Sequence, residues 1–404
     1  MLDRRKKNLV PAILFWCLAV GTIRAGATVE LGIDVLQQED FAVLRGHRIG
    51  LITNQTGVNS EGVKTRLILD RAPGVRLVAL FTPEHGLDGT ELAGRYVSSR
   101  RDRLTGLMAY SLYGATRKPT PEMLQGIDML VFDMQDIGCR SYTYVSTLVL
   151  CMEAAGEKGI PVVVLDRPNP LGGVRIEGPI MEDRWKSFIG ELPIPYVHGM
   201  TVGELARMAD ARGWVQPHCR LIVIQMRGWD RHMDWEDTGL DWVKPSPNIP
   251  YESSPMYYVA TGMIGELAGM ETGVGSSHAF QVAAANHASV YAVMREMERM
   301  RPEGVSFEPY VEGRFEGVRL HIEPHPDANL TAIGVYLLAA MDADRYPDIF
   351  EESSGDKLEM FYKSYGSSDI RDQLENGVAP GRIVASWSGG VARFAWERMP
   401  YLLY

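Results

Sequence analysis

Glu84 and His85 stand side by side in "FTPEHGLDG" (81–89), set between Pro83 and Gly86 directly after the apolar run "VRLVAL". A carboxyl on a tight turn backed by apolar chain suits general acid or base chemistry, because desolvation moves proton transfer toward neutral pH. His85 would orient that carboxyl or carry protons itself. The plain alternative is that Glu84 caps a turn and His85 packs under the loop.

Other polar clusters offer partners. "DMQDIGCRSYTY" (133–144) supplies Asp133 and Asp136 as a second carboxylate, Tyr142 and Tyr144, and Arg140, whose planar fork can hold a ligand carboxylate with two hydrogen bonds or pair with Asp136. "DRPNPLGG" (166–173) places Asp166, Arg167 and Asn169 in a proline-stiffened turn, which suits a binding loop and a plain turn equally. "RIEGP" adds Arg175 and Glu177, and "PIPYVHGMTVGELA" adds Tyr196 and His198. Thr201 and Glu204 in that last stretch form a Thr-x-x-Glu capping box, which is structural.

The elements that must carry these residues are legible as short, branched apolar runs alternating with helical stretches from residue 47. "RIGLITN", "VRLVALFT", "DMLVFDM", "PVVVLD" and "CRLIVIQM" are strands; "EGVKTRLILDRA", "TYVSTLVLCMEAAGEKG" and "TVGELARMADARG" are helices. Near-continuous apolar strands between helices indicate a parallel sheet covered on both faces, so the expected fold is α/β, Rossmann-like and doubly wound. In such sheets ligands gather beyond the carboxyl ends of the strands. Four polar clusters fall at that edge, "TNQTG" with Asn54, "TPEHG", "DMQDIGCRSY" and "DRPNPLGG". Beyond about residue 245 the proline-rich "KPSPNIPYESSP" marks a boundary, with Asn248 on it, and the patterning changes to a smaller α+β domain. The expected division is 28–248 and 249–404.

Several classes are disfavoured. A net charge of −10 argues against a non-specific grip on nucleic acid or anionic membranes. No dinucleotide or phosphate-loop fingerprint follows the first strand, and no G-x-S-x-G elbow or H-E-x-x-H is present. In "HIEPH", Pro324 disfavours the helical geometry that would aim His321 and His325 at one metal, so neither metal nor cofactor is expected.

The N-terminus reads "MLDRRKKN", then 15 uncharged residues, then "RAGA". That order is a secretory leader cut after Ala27, its apolar run too short for the ~18–20 residues of a membrane span. Cys17 lies in that run behind bulky Phe15 and Trp16, which disfavours lipidation. The mature chain is therefore expected in a periplasm or outside the cell, without stable membrane insertion. Cys139, Cys151 and Cys219 allow at most one disulfide, and Cys151 and Cys219 read as small buried hydrophobes.

Taken together, "GLITNQTGV", "FTPEHGLDG", "DMQDIGCRSYTY", "DRPNPLGG", "EGP", "PIPYVHGMTVGELA", "PSPNIP" and the terminal "PYLLY" resemble the exo-β-N-acetylmuramidase family of glycoside hydrolases from about residue 31 to 404. The resemblance implies a cleft between the two domains and release of N-acetylmuramic acid from the non-reducing end of peptidoglycan-derived sugars. It makes Glu84 the leading catalytic carboxylate, with Asp136, Glu177 or the sugar's own acetamido oxygen at the anomeric carbon. Asn54, Tyr142, Asp166, Asn169, His198 and Asn248 line the cleft in that reading, and Arg140 holds the lactyl carboxylate. One segment departs. Where the family shows E-G-T-N-x-S-x-G-R-G-T, this chain has "ELAGMETGVGSSHAF" from Glu266, with Gly269 at the Asn position and Val274 at the Arg position. Glu266 itself aligns and is expected at the substrate. A glycosidase of shifted sugar specificity, a non-catalytic wall-sugar binder and a chelator-sensitive hydrolase are the alternatives; oligomeric state is left open.

Overall fold

The computed structural model describes residues 29–324, 327–342 and 348–404; the expected leader and Cys17 lie outside the described residues. The branched apolar runs form β1 (Arg48–Thr53), β2 (Arg76–Thr82), β3 (Arg100–Arg101), β4 (Met108–Ser111), β5 (Met129–Asp133), β6 (Val162–Leu165) and β7 (Leu221–Ile224). They make one sheet in the order β3-β4-β2-β1-β5-β6-β7, parallel except where β3 meets β4.

Both faces are buried, which is why these runs lack a polar alternation. Ile49 and Leu51 of β1, Met129 and Val131 of β5, and Val163 and Leu165 of β6 join one core with Ile33 and Leu36 of α1 (Gly32–Gln38) and Leu69 of α2 (Thr65–Arg71). The intervening Ile52, Leu130, Phe132, Val162 and Val164 join the opposite core with α3 (Tyr144–Lys158) and α4 (Val202–Ala211). The expected doubly wound α/β layering is present. Helix α4 starts on the expected box, Thr201 accepting from the Glu204 N–H and Glu204 from the Thr201 N–H.

After the proline-rich linker come α5 (Ser254–Thr261), β8 (Met270–Glu271), β9 (Val282–Asn286), α6 (Val290–Met300), β10 (Val305–Glu312), β11 (Phe315–Ile322) and α7 (Leu330–Asp342). The short helices α8 (Ile349–Glu352), α9 (Asp356–Tyr365), α10 (Asp369–Glu375), α11 (Pro380–Ser386) and α12 (Ser388–Glu397) follow. The four strands form an antiparallel sheet in the order β10-β11-β9-β8. The core on the α3 and α4 face continues through Val259, Leu320 and Leu338, so the second domain is seated on that face of the first.

The chain's end returns to the first domain. The Tyr404 hydroxyl donates to Asp166 at 2.8 Å and accepts from the Met226 N–H, while the Leu403 N–H donates to Glu204 at 2.7 Å. Cys139, Cys151 and Cys219 are all buried and unpaired. No helix among the described residues is long and apolar enough to cross a membrane.

Candidate active site

Strand order reverses about β1, since the chain moves from β1 to β2 in one direction and through β5, β6 and β7 in the other. The carboxyl ends of β1 and β5 are paired at Thr53 and Asp133, so the crevice of the sheet opens there. Glu84 lies beside it, two residues past the Thr82–Ser111 pairing of β2 with β4.

The Glu84 carboxylate is 8% exposed and fixed at both oxygens. The Gly94 N–H donates to Oε1 at 2.8 Å, and Thr143 Oγ1, at the start of α3, donates to Oε2 at 3.0 Å. The positive end of that helix therefore faces the carboxylate. His85 sits in the left-handed region at φ 68°, and its Nδ1–H donates to the Glu91 carbonyl at 2.7 Å. Its ring braces the loop that brings Gly94 to Glu84, which matches the reading of His85 as a support packed under that loop.

Around Glu84 the two domains meet. The Tyr113 hydroxyl lies within hydrogen-bonding reach of both Glu84 and the Arg117 guanidinium, and burial and the charge of Glu84 push its ionisation up. From the second domain comes Glu266, whose pKa burial raises against the pull of Lys357, with the charge of Glu84 adding to the rise.

Beneath them lies a set of buried polar atoms with unused capacity. Asn54 Nδ2, Thr82 Oγ1, Asp136 Oδ1 and the Tyr142 hydroxyl have no hydrogen-bond partner among the described residues. Ser246 and Tyr144 come near the Tyr142 hydroxyl, without the geometry of a bond. Asn54 Oδ1 is engaged, accepting from the N–H and hydroxyl of Thr56. Asp136 accepts only from main-chain N–H groups, that of Gly138 at 2.7 Å, and burial pushes its pKa up to about 7. Unsatisfied buried groups cost about 1–3 kcal/mol each, so their concentration at a sheet crevice marks a place built for a polar ligand. Tyr142 packs edge-on against Tyr144 and Tyr258, walling this floor with rings.

Other expected site residues have different partners. The Arg140 guanidinium is buried and donates to the carbonyls of Pro179, Ile194, Ser364 and Tyr365. It caps the carboxyl end of α9, whose last carbonyls otherwise lack donors, and ties both domains together. Gly366 must be glycine there, because a Cβ would meet Arg140 at 2.4 Å. Arg140 is therefore not the reader of a sugar carboxylate, nor does it pair with Asp136. Glu177 pairs with Arg175 and accepts from the N–H and hydroxyl of Thr331 at the start of α7, which joins the domains and removes it as the second catalytic group. Asp166 accepts from Thr201, Gly203, Arg167 and Tyr404; Asn169 closes a turn on Leu171 and donates to Met200. His198 accepts from the Met200 N–H, and burial and then the charges of Arg398 and Arg140 lower its pKa to about 3. These three hold the framework. Asn248 is half-buried and accepts from the Gly275 N–H at 3.3 Å, joining the linker to the departing segment. In that segment Val274 is half-exposed, and a Cβ on Gly269 would meet Asn286 at 2.3 Å, so the family's Asn would not fit here unchanged.

Sequence reasoning missed Thr143, Gly94, Tyr113, Arg117 and Tyr258. Tyr113 and Arg117 follow "MAYSL", an apolar run ending in "YGATR" that could have been read as a fifth polar strand end. A cavity of about 670 Å³ opens elsewhere along the rim, among Leu171, Arg175, Glu177, Met233, Trp235 and Met256. Its cations are committed, Arg175 to Glu177 and the Ala328 carbonyl and Arg231 to Glu204 and main-chain carbonyls. The unpartnered buried groups of Asn54, Thr82, Asp136 and Tyr142 lie outside its lining.

Known proteins share this architecture. Two DUF1343 family proteins of Bacteroides fragilis NCTC 9343 superpose on it, one with TM-score 0.87 at 40% identity over 94% of this chain and 99% of that one. The other gives TM-score 0.68 at 26% identity over 93% and 99%. The peptidoglycan beta-N-acetylmuramidase NamZ of Bacillus subtilis (strain 168) is 40% identical over 385 residues, 93% of this chain and 91% of that one. The family described as exo-beta-N-acetylmuramidase NamZ matches with its N-terminal part at residues 49–253 and its C-terminal part at 256–404. With both parts matched along nearly all of its length, the chain belongs to the exo-β-N-acetylmuramidase NamZ family of glycoside hydrolases.

Proposed function

We propose that this glycosidase removes N-acetylmuramic acid from the non-reducing end of peptidoglycan fragments, with Glu84 as its acid/base. The observation that carries the reading is Glu84 itself, held by Gly94 and Thr143 at the sheet crevice beside the unpartnered groups of Asn54, Thr82, Asp136 and Tyr142. Glycoside hydrolysis needs a proton delivered to the departing oxygen and a second group at the anomeric carbon. Glu84 exchanges the proton with the glycosidic oxygen. The bond from that oxygen to the anomeric carbon breaks, and water completes the product. Asp136, Glu266 and the sugar's acetamido oxygen are the candidates for supporting that carbon. The leader-like residues 1–27 fit export to the compartment where such fragments lie.

The test is Glu84→Gln on a chromogenic N-acetylmuramide. The variant should fold with an unchanged melting midpoint and lose turnover. Wild-type rates in that variant would end the assignment.

The departing segment favours one second reading, a changed preference among acetamido sugars, because Val274 puts an apolar side chain where the family carries Arg. A panel of nitrophenyl glycosides decides it. Faster release of N-acetylglucosamine than of the muramide by wild type would support the shift.

A further inference from the structure

We propose that Arg117 is the cation that receives the sugar's lactyl carboxylate at this cleft, the task the sequence had assigned to Arg140. The inference rests on the muramidase reading above. An acidic sugar must enter a crevice that already holds the Glu84 carboxylate, in a chain of net charge −10, so a placed cation is needed to offset the repulsion.

Arg117 meets that need by position and by commitment. It follows β4 on the loop that carries Tyr113, and β4 lies in register beside β2, which ends two residues before Glu84. Its Cζ sits 3.7 Å from the Tyr113 ring centroid and 5.2 Å from that of Phe188, two rings that also pack on each other, so the guanidinium is set against an aromatic corner. One N–H reaches the Gly114 carbonyl at 3.3 Å and the Tyr113 hydroxyl lies within reach of the group, which leaves others of its five donors for a ligand; Arg117 makes no ion pair among the described residues. Of the other arginines near the rim, Arg140 is engaged on four carbonyls, Arg167 with Asp133, Arg175 with Glu177 and Arg231 with Glu204. Lys357 and Arg95, the residue after Gly94, are the rival cations, but both are exposed and neither is set on an aromatic ring among the described residues, where Arg117 is.

The experiment compares wild type, Arg117→Met and Arg117→Lys on a chromogenic N-acetylmuramide and on the same compound with its lactyl acid converted to a neutral methyl amide. A charge-assisted hydrogen-bonded contact predicts that Arg117→Met loses roughly 10- to 100-fold in kcat/KM on the acid, mostly through KM. On the amide it should match wild type, and Arg117→Lys should recover part of the loss on the acid. Equal losses on both substrates would make Arg117 a support for Tyr113 and overturn the proposal. An undiminished preference for the acid would overturn it in favour of another cation, Lys357 first. If wild type turns over neither glycoside, the muramidase reading fails on its own. Calorimetry with free N-acetylmuramic acid and N-acetylglucosamine then decides Arg117: Arg117→Met should erase a wild-type preference for the acid, and a wild type without that preference overturns the assignment.

Discussion

Two buried acidic clusters sit on the same edge of the large sheet and look alike in composition, yet one is saturated and the other is not. At the end of β6, Asp166 accepts from Arg167, Gly203, Thr201 and Tyr404, and Glu204 meets Arg231, Thr201 and Leu403. Between β2 and β5, Asp136 keeps one oxygen unpartnered beside the unpaired groups of Asn54, Thr82 and Tyr142. Burial alone does not separate the two clusters. What separates them is whether the chain supplies every donor itself. A site that leaves donors and acceptors over has sacrificed stability for a ligand, whereas a saturated one holds domains together.

The comparison predicts opposite responses to the loss of a carboxylate, and the largest effect belongs to Glu84. Removing a general acid/base contribution costs about 10²–10⁴ in rate. Glu84→Gln should therefore lose at least about 10³-fold in kcat on the muramide, with a thermal midpoint near wild type because the amide oxygen still accepts from the Gly94 N–H and the Thr143 hydroxyl can turn to accept from the amide N–H. Steady-state kinetics beside a melting curve checks both halves. A large fall in the midpoint would place Glu84 with the saturated cluster.

Glu204→Ala should do the reverse. It leaves Arg231 without its carboxylate and the Leu403 N–H without an acceptor, and breaking a buried pair costs about 3–5 kcal/mol. Denaturant titration should show that loss, while kcat per folded molecule stays at the wild-type value. A stable variant with impaired turnover would erase the distinction between the clusters.

How much of this was legible in the chain follows the same line. The strands were readable because burial on both faces writes continuous branched runs, and Glu84 because it ends one of them. Arg140 was not. A guanidinium prepared for a carboxylate and one prepared for helix carbonyls have the same sequence signature, and its partners Ser364 and Tyr365 lie 224 and 225 residues away. Glu266 was readable through the family pattern, but the burial that raises its pKa exists only once the chain is folded around it. His85 carried chemistry in its type, and its backbone at φ 68° turned the ring onto Glu91.

The smallest effect, and the one that tests the unsaturated cluster without reference to catalysis, concerns Asp136. Burial pushes its folded pKa up to about 7 from the ordinary 3.8, and the main-chain donors Gly138 and Ile137 offset only part of that. Below about pH 4 the group is protonated in both states. Between there and about pH 7 the folded protein keeps a proton that the unfolded chain releases, so wild type loses stability as pH rises through this window. Asp136→Asn cannot titrate. Its stability relative to wild type should climb across that window, by at most about 1.4 kcal/mol per pH unit, and level off above it. Asp166, pushed up to about 6 by burial, and His198, lowered to about 3, titrate in both proteins and cancel in the difference. Denaturation of the pair at several pH values measures the slope. A flat difference would show that Asp136 is stabilised as an anion, and the cluster would then belong with the saturated one.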